Sequence, residues 1–148
     1  MRRRALLHAG LATGLAGVVP GLVPAARACE FSASTLRIIH PWTRQTADDA
    51  NAAVVCMRFD QVQRSDRLIG VSTPVATRAE MGGLQASPRV DFAIPQGQES
   101  ALSETGTFLR LTGLTQPLET GRAYPLTLVF EHGGSVPALL TVDYERFR

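Results

Sequence analysis

The chain has 148 residues, a formal net charge of +2, 45% hydrophobic residues and only two cysteines. Four of its 15 arginines lie within residues 1–28; the remaining 11 face 13 acidic residues, which gives residues 29–148 a charge of −2. No basic patch is left there, so composition and charge argue against a nucleic-acid-binding protein. A chain of this length is large enough for one domain with a buried core.

Residues 1–28 have the pattern of a cleaved export signal: a basic start, an apolar, glycine-rich run and a small-x-small site at residues 26–28. His8 and Pro20 interrupt the apolar run, which favours cleavage over a permanent membrane span. An arginine pair near the start also fits a twin-arginine signal, so that export route stays open. We expect residues 29–148 to form a single exported domain in an oxidising compartment, the periplasm.

Short apolar segments separated by turn residues follow, and they predict β-strands. These segments are residues 35–40, 52–59, 67–72, 77–81, 89–94, 106–114, 124–130 and 136–144, with a brief pairing at 100–103. Residues 132–135 include two glycines and predict a hairpin turn. The mature chain has no helical stripe of apolar residues. We therefore predict an all-β fold, a Greek-key β-sandwich of about seven to nine strands.

The segment at residues 106–114 shows the clearest alternation. Leu109 and Leu111 point to one side, whereas Phe108, Arg110 and Thr112 point to the other, because side chains on a strand have a period of two. The pattern predicts that the two leucines lie in the core and that the other three lie on the outer face.

Cys29 and Cys56 both belong to the exported part of the chain, where a disulfide is the default expectation. The alternation along residues 52–59 puts Cys56 on one face with Val54 and Arg58. We read this as the outer face, where the N-terminal segment of the mature chain crosses it. A Cys29–Cys56 bond would stabilise the fold by about 3–4 kcal/mol. The alternative, a pair of thiolate ligands for a soft metal ion, stays open.

Four segments, in this order, resemble the periplasmic copper(I) chaperones of the PCu(A)C type. They are residues 41–44 (Pro-Trp-Thr-Arg), 65–76 (from Ser-Asp-Arg-Leu to Pro-Val-Ala), 112–121 (Thr-Gly-Leu through Pro-Leu-Glu-Thr-Gly) and 125–134 (Pro-Leu-Thr-Leu to Gly-Gly). The resemblance covers nearly the whole mature domain. It implies a cupredoxin-like or immunoglobulin-like sandwich and a role in delivering Cu(I) for respiratory oxidase assembly.

The resemblance also implies His and Met ligands, and none of the four is present. The first ligand position falls on Gly82, residues 83–88 contain no Met, and the His-x-Met pair falls on Phe108 and Arg110. The Arg110 guanidinium would repel a Cu(I) ion 4 Å away by about 4 kcal/mol at an effective dielectric of 20. We therefore expect no metal or other cofactor at this position, and a binding surface formed by Met81, Gly82, Phe108 and Arg110.

The other soft donors of the mature chain are His40, Met57 and His132, together with Met81. We expect Met57 to fill the core and both histidines to lie in exposed turns. The mature chain contains no His-x-His or Cys-x-x-Cys spacing and no Gly-x-Ser-x-Gly elbow, so we predict that it is not an enzyme.

Three functions follow from these observations. The first is an exported PCu(A)C-like protein without the standard Cu(I) site, which contacts a protein partner in or near metal handling or oxidase assembly. The second is a working copper carrier with a relocated site that uses Met81, His40 or His132. The third is a sandwich that binds a small ligand or a peptide, with Phe108 as an exposed apolar contact.

Overall fold

The computed structural model of the protein describes residues 29–144, which form ten β-strands and no helix. The strands are β1 (Glu30–Ser32), β2 (Arg37–Thr43), β3 (Ala52–Asp60), β4 (Asp66–Ser72), β5 (Ala76–Gly83), β6 (Phe92–Ile94), β7 (Ser100–Leu102), β8 (Thr107–Leu114), β9 (Ala123–Phe130) and β10 (Gly134–Val142). The predicted all-β class is confirmed. The expected export signal lies outside the described residues. Within them, no helix is long and apolar enough to span a bilayer.

The strands form one curled sheet in the order β5-β8-β3-β2-β10-β9-β4-β6, to which β1 adds beside β2 and β7 beside β3. Strand β3 connects the two halves of this sheet. Its residues 52–55 pair with β8, whereas residues 56–60 pair with β2 and β7. The sheet therefore folds over at β3 into two layers with the core between them, which is the predicted β-sandwich.

The core lies between these layers and contains the inward side chains of most strands. The ring of Phe59 lies 6.0 Å from the rings of both Phe92 and Phe130, at its centre. Leu109 and Leu111 are fully buried, as the alternation along β8 predicts. Each such side chain stabilises the fold by about 1.5–3 kcal/mol through the removal of apolar surface from water.

Two features of the first strands differ from the prediction. Strand β1 was not predicted, because a three-residue segment carries no periodic signal. Strand β2 continues through Pro41 to Thr43 instead of ending at His40. A β-bulge between Ile39 and Trp42, with His40 at φ 50°, interrupts the ladder there. Proline has no N–H to donate, so a bulge is one of the few places in a sheet where it fits.

Cys29 and Cys56 are both free thiols in this structure. The Cys29 carbonyl accepts a hydrogen bond from the His40 N–H at 2.7 Å, on the β1 side of β2. Cys56 pairs with Trp42 on the opposite, β3 side. Positions on either side of an intervening strand lie about 9–10 Å apart, whereas a disulfide needs Cα atoms within about 4.4–6.8 Å. The predicted disulfide is therefore not formed here, and pairing would require the chain at Cys29 to move.

A buried carboxylate holds the β9–β10 hairpin. Asp66 accepts hydrogen bonds from the backbone N–H groups of His132, Gly133 and Arg67 at 2.8–2.9 Å, and from the Thr35 hydroxyl at 2.6 Å. Burial alone would raise the pKa of Asp66, but these four donors outweigh it and lower the pKa below its usual value. The turn comprises residues 131–133, because Gly134 and Ser135, which the prediction included, already pair within β10. It is fixed to the start of β4 by Asp66.

Candidate functional site

The pairing of β5 with β8 brings three of the four predicted surface positions together. In the antiparallel register Gly82 lies opposite Phe108, and Glu80 lies opposite Arg110. Residues directly opposite each other share one side of a sheet, so Gly82, Phe108 and Arg110 lie on one surface together with Glu80. We call this surface, formed by Glu80, Gly82, Phe108 and Arg110, the outer face of the β5–β8 pair.

Met81 does not contribute to the outer face. It pairs with Leu109, its side chain points to the opposite side of the sheet, and only 2% of its surface is exposed. It belongs to the main core cluster. The expected binding surface is therefore corrected: Met81 is a core residue because it lies one position from Gly82 on a strand with a period of two.

The ring of Phe108 occupies the space above Gly82. A Cβ atom added to Gly82 would lie 2.3 Å from Cε2 and 2.8 Å from Cζ of Phe108. Packed carbon atoms prefer separations of about 3.5–4.0 Å, so no side chain fits at position 82 while this ring stays in place. The absent His at position 82 and the aromatic residue at position 108 are thus two parts of one packing arrangement.

Arg110 lies over the Phe108 ring. The centre of its guanidinium lies 5.5 Å from the ring centroid, within the range of a cation–π contact. Its Nη1 atom lies 3.4 Å from Oε1 of Glu80, its cross-strand neighbour. The three side chains therefore form a connected layer on the outer face. Exposed ion pairs of this kind contribute only about 0.2–1 kcal/mol each.

The outer face does not fit Cu(I). Proteins bind this ion with thiolate, thioether and imidazole groups. The face instead presents a phenyl ring, a guanidinium and a carboxylate, and the guanidinium is permanently charged. The position that the resemblance assigns to the ligands therefore has no soft donor and has a cation in its place.

An exposed apolar residue extends this region at the end of β5. Leu84 follows Gly83 directly and has 83% of its surface exposed. Its N–H donates to the carbonyl of Gly106, just before β8, at 3.2 Å, which fixes its backbone beside the outer face. Such exposure of a large apolar side chain points to a contact surface when other apolar groups lie nearby.

The remaining soft donors do not assemble into a metal site. Met57 is buried in the core, as expected. His40 lies within β2 rather than in a turn, and its Nε2 atom is 2.6 Å from Oδ2 of the buried Asp143. His132 lies at the β9–β10 hairpin, with Nε2 3.9 Å from a carboxylate oxygen of Glu131. Within residues 29–144, no group of three or more His, Cys, Asp and Glu side chains has the arrangement that a metal ion needs.

A groove of about 510 Å³ lies on the outside of the other layer, over β2, β3 and β7. Its lining is mainly apolar and includes Trp42, Cys56 and Leu102. A bidentate ion pair closes one side of the groove, since Arg44 donates to both carboxylate oxygens of Glu104 at 2.7 and 3.0 Å. Sequence reasoning missed this groove, because residues that form its walls lie some sixty positions apart.

Cys56 lies at the bottom of this groove and is only 2% exposed, although it is on the outward side of β3. Trp42 is its cross-strand neighbour. Burial, helped by the negative charge of Glu104 and opposed by Arg44, raises the pKa of Cys56 to about 11. The thiol is therefore protonated at neutral pH, and a protonated thiol is neither a nucleophile nor a good metal ligand.

The fold is that of the PCuAC domains. The copper-bound PCuAC domain from PmoF2 is 24% identical, has a TM-score of 0.71, and is matched over 77% of this chain and 97% of its own. The apo PCuAC domain from PmoF1 is 26% identical, with a TM-score of 0.70 and coverage of 77% and 98%. Copper(I)-bound DR1885 from Deinococcus radiodurans is 20% identical, with a TM-score of 0.60 and coverage of 72% and 76%. The protein therefore has a PCuAC-type, cupredoxin-like β-sandwich fold.

The family model described as "Putative lipoprotein LpqE-like" matches residues 36–142. The chain therefore belongs to the LpqE-like family. No curated protein sequence matches the chain.

Proposed function

We propose that this protein is an exported, PCuAC-type domain that does not carry Cu(I) at the position where the resemblance puts the ligands, and that it works by contacting other proteins in metal handling. Membership of the LpqE-like family and the structural similarity to copper-bound PCuAC domains support the metal-handling context. The sequence pattern of residues 1–28 supports export to the periplasm.

The packing of Phe108 against Gly82 carries the first half of this proposal. Loss of ligands alone would leave an open, polar or hydrated position on the strand pair. Here the ring fills the space of the side chain at position 82, and Arg110 lies over the ring. A cation at this place disfavours a second cation by about 4 kcal/mol at 4 Å. The outer face is thus built as a packed surface and not as a vacant metal site.

The composition of the same region supports the second half. Leu84 is the most exposed large apolar residue of residues 29–144, and its N–H donates to the carbonyl of Gly106, two residues before Phe108. Aromatic, arginine and exposed apolar side chains are the groups that dominate protein–protein binding energy. A partner in periplasmic metal handling or oxidase assembly would meet the domain here, through binding and without catalysis.

A competition titration tests the copper half. The mature chain is mixed with Cu(I) and a chromophoric Cu(I) chelator, and the loss of chelator colour is measured. We expect no transfer of Cu(I) to the protein at chelator affinities near 1 μM. The variants His40→Ala and His132→Ala are measured in parallel. Stoichiometric binding that both variants retain would contradict the proposal, whereas stoichiometric binding that either variant abolishes would establish a relocated copper site.

The contact half is tested with Leu84→Ser and Phe108→Ser. Both changes remove apolar surface from the outer region. We expect each variant to lose capture of its periplasmic partner after chemical cross-linking, with Leu139→Ser as the matched control, since Leu139 is also exposed but lies on β10. Equal capture by wild type and both variants would contradict a contact at this surface.

The groove over Cys56 favours a second candidate function, the binding of a small neutral ligand. Pockets of about 300–1,000 Å³ with mainly apolar walls are typical of such sites. Its arginines already have acidic partners, Arg44 with Glu104 and Arg58 with Glu99. His40 lies within hydrogen-bond distance of Asp143. Trp42 is the only tryptophan of the chain, so a change in its fluorescence reports ligand entry. Unchanged Trp42 emission with neutral apolar probes such as N-phenyl-1-naphthylamine would remove this candidate.

A further inference from the structure

Two strand edges lie open beside each other on the side of the sandwich away from the groove. Strand β6 pairs with β4 only at Asp66–Leu68, so within the described chain residues 69–72 have no partner strand on that side. Strand β5 ends the sheet, and between residues 76 and 80 it pairs only with β8. The bridge from Thr73 to Ala76 holds the two strands next to each other. We call this gap, between residues 69–72 and 76–79, the β4–β5 seam.

The seam is a trough with an apolar floor. A cavity of about 520 Å³ and one of about 200 Å³ follow each other along it, and both are lined by Val71 and Ala79. The buried Leu111 also lines the smaller cavity, whereas the larger one is bordered by Ile69, which is 46% exposed. Open strand edges and apolar side chains are thus present together along this seam.

The charges along the seam are mainly positive. Arg89 lines the larger cavity and Arg78 the smaller one. Within residues 29–144 neither of these arginines forms a salt bridge, whereas Arg67 in the same trough is paired with Asp91. The mature chain as a whole is acidic, so two uncompensated guanidinium groups beside one trough are a local excess. Their chemistry fits carboxylate groups of a bound partner.

We propose that the β4–β5 seam binds an extended, acidic segment of a partner protein, which adds a strand to the open edge of β4. The open edge offers unpaired backbone N–H and C=O groups, and strand addition is the way in which such an edge binds a peptide. Four residues of β4 span about 13 Å, so the segment that pairs is short. Carboxylates of the segment bind Arg78 and Arg89, and its apolar side chains cover Val71 and Ile69.

Other occupants fit the seam less well. The parts of this chain outside the described range, residues 1–28 and 145–148, are rich in arginine and would be repelled by Arg78 and Arg89. A small apolar molecule would leave the strand edges and both guanidinium groups without partners. Neither Leu84 nor Phe108 lines the seam, so this site is separate from the outer face of the β5–β8 pair.

A labelled model peptide tests this site. Fluorescein-labelled Glu-Val-Glu-Val-Glu-Val is titrated with the mature chain, and fluorescence anisotropy is measured at low salt. We expect saturable binding with a Kd below about 1 mM. The same peptide with every backbone amide N-methylated, and a peptide with Lys in place of Glu, should each bind at least tenfold more weakly. Absence of saturable binding, or equal binding of the N-methylated peptide, would overturn the proposal.

Two charge-reversal variants, one in the seam and one outside it, test where the peptide binds. Arg89→Glu should weaken binding about tenfold, whereas Arg64→Glu should change it less than twofold, because Arg64 is also exposed and without a salt bridge in the described chain but lies between β3 and β4. Equal effects of the two changes would overturn the proposal. Sedimentation of the protein alone at the same concentrations is expected to show a monomer. A dimer that Arg89→Glu dissociates would assign the seam to a second copy of the chain instead.

The test is independent of the proposed outer-face contact. Leu84→Ser should leave peptide affinity unchanged, since Leu84 does not line the seam. If the peptide does not bind, the proposed seam site is refuted and the proposed contact at the outer face still stands. If the cross-linking test fails, the outer-face contact is refuted and the seam site still stands.

Discussion

The two sides of the β5–β8 strand pair differ in what they must do. The inner side presents Met81, Leu109 and Leu111, all buried in the core. The outer side presents Gly82, Phe108 and Arg110, where the resemblance to copper chaperones puts metal ligands. Both sides belong to the same strands in the same register. The difference teaches that one strand pair can keep its fold while the chemistry on its other side is replaced.

Energetics explain why the two sides change independently. An inner leucine stabilises the fold through burial by about 1.5–3 kcal/mol, and its loss also leaves a cavity. An outer ion pair such as Arg110 with Glu80 contributes about 0.2–1 kcal/mol. Substitution on the outer side therefore leaves most of the stability intact, so this side is free to lose one function and gain another.

The largest expected effect is on the inner side. Leu109→Ala should lower the free energy of unfolding by about 2–5 kcal/mol, because it removes buried methyl groups and leaves a cavity. Arg110→Ala, one residue away on the outer side, should lower it by less than about 1 kcal/mol. Urea denaturation of both variants measures the comparison. Similar losses at the two positions would show that the two sides are not energetically distinct.

The buried carboxylate of Asp66, which lies on β4 and not on the β5–β8 pair, provides a reference. Asp66→Asn should lower the free energy of unfolding at pH 7 by about 1–3 kcal/mol, because the amide cannot accept all four hydrogen bonds that the carboxylate accepts. The pKa of Asp66 is lowered in the folded state, so its contribution is present above the unfolded value near 3.9 and is lost as the pH falls through the folded value.

The difference between wild type and Asp66→Asn should therefore shrink when urea denaturation is repeated near pH 2.5. A difference that stays constant between pH 7 and pH 2.5 would show that ionisation of Asp66 does not stabilise the hairpin.

A double-mutant cycle tests the packing on the outer side. Gly82→Ala should destabilise the wild type by about 1–3 kcal/mol, because the new Cβ would lie 2.3 Å from the Phe108 ring. In the Phe108→Ala background the same change should be neutral or slightly stabilising, since alanine is preferred to glycine within a strand. Thermal or urea unfolding of the four proteins gives the coupling energy. Additive effects would contradict the close packing of Gly82 and Phe108.

At Cys56 we expect the smallest effect on stability but a measurable effect on the alkylation rate of the thiol. With a pKa of about 11 it is about one-thousandth thiolate at pH 8, whereas an ordinary thiol is about one-quarter ionised. Iodoacetamide should therefore label Cys56 at least a hundredfold more slowly in the folded protein than in urea, and also more slowly than the partly exposed Cys29. Mass spectrometry before and after reduction, with a urea-denatured control, measures both rates. Protection of both residues until reduction would establish the disulfide that the structure lacks.

Local patterns predicted much of the fold. The alternation along residues 106–114 was sufficient to place Leu109 and Leu111 inside and Phe108 and Arg110 outside, because the period of two is a local property. The opposition of Gly82 to Phe108 depends on the β5–β8 register, which joins residues 26 positions apart. That register could not be read locally. The grouping of Met81 with the surface was wrong for a local reason, because neighbours on a strand point to opposite sides and Met81 is next to Gly82.

Other features depend on contacts between distant segments. Cys56 was expected on the outer face under the N-terminal segment of the mature chain, but the loop after β7 and the Arg44–Glu104 pair form a groove around it. The β4–β5 seam exists because β6 begins only at Phe92, opposite Leu68, and therefore covers only the first half of β4. The end of a strand and the side chains that surround a residue depend on tertiary contacts, so a local stretch of sequence does not predict them.

Restoring the ligands tests the central claim most directly. The triple variant Gly82→His, Phe108→His, Arg110→Met removes the ring and the guanidinium together and supplies imidazole and thioether donors. In competition with a chromophoric chelator, we expect the triple variant to take up one Cu(I) per chain and the wild type to take up none. Equal Cu(I) uptake by wild type and triple variant would contradict the claim that the packed outer face excludes copper.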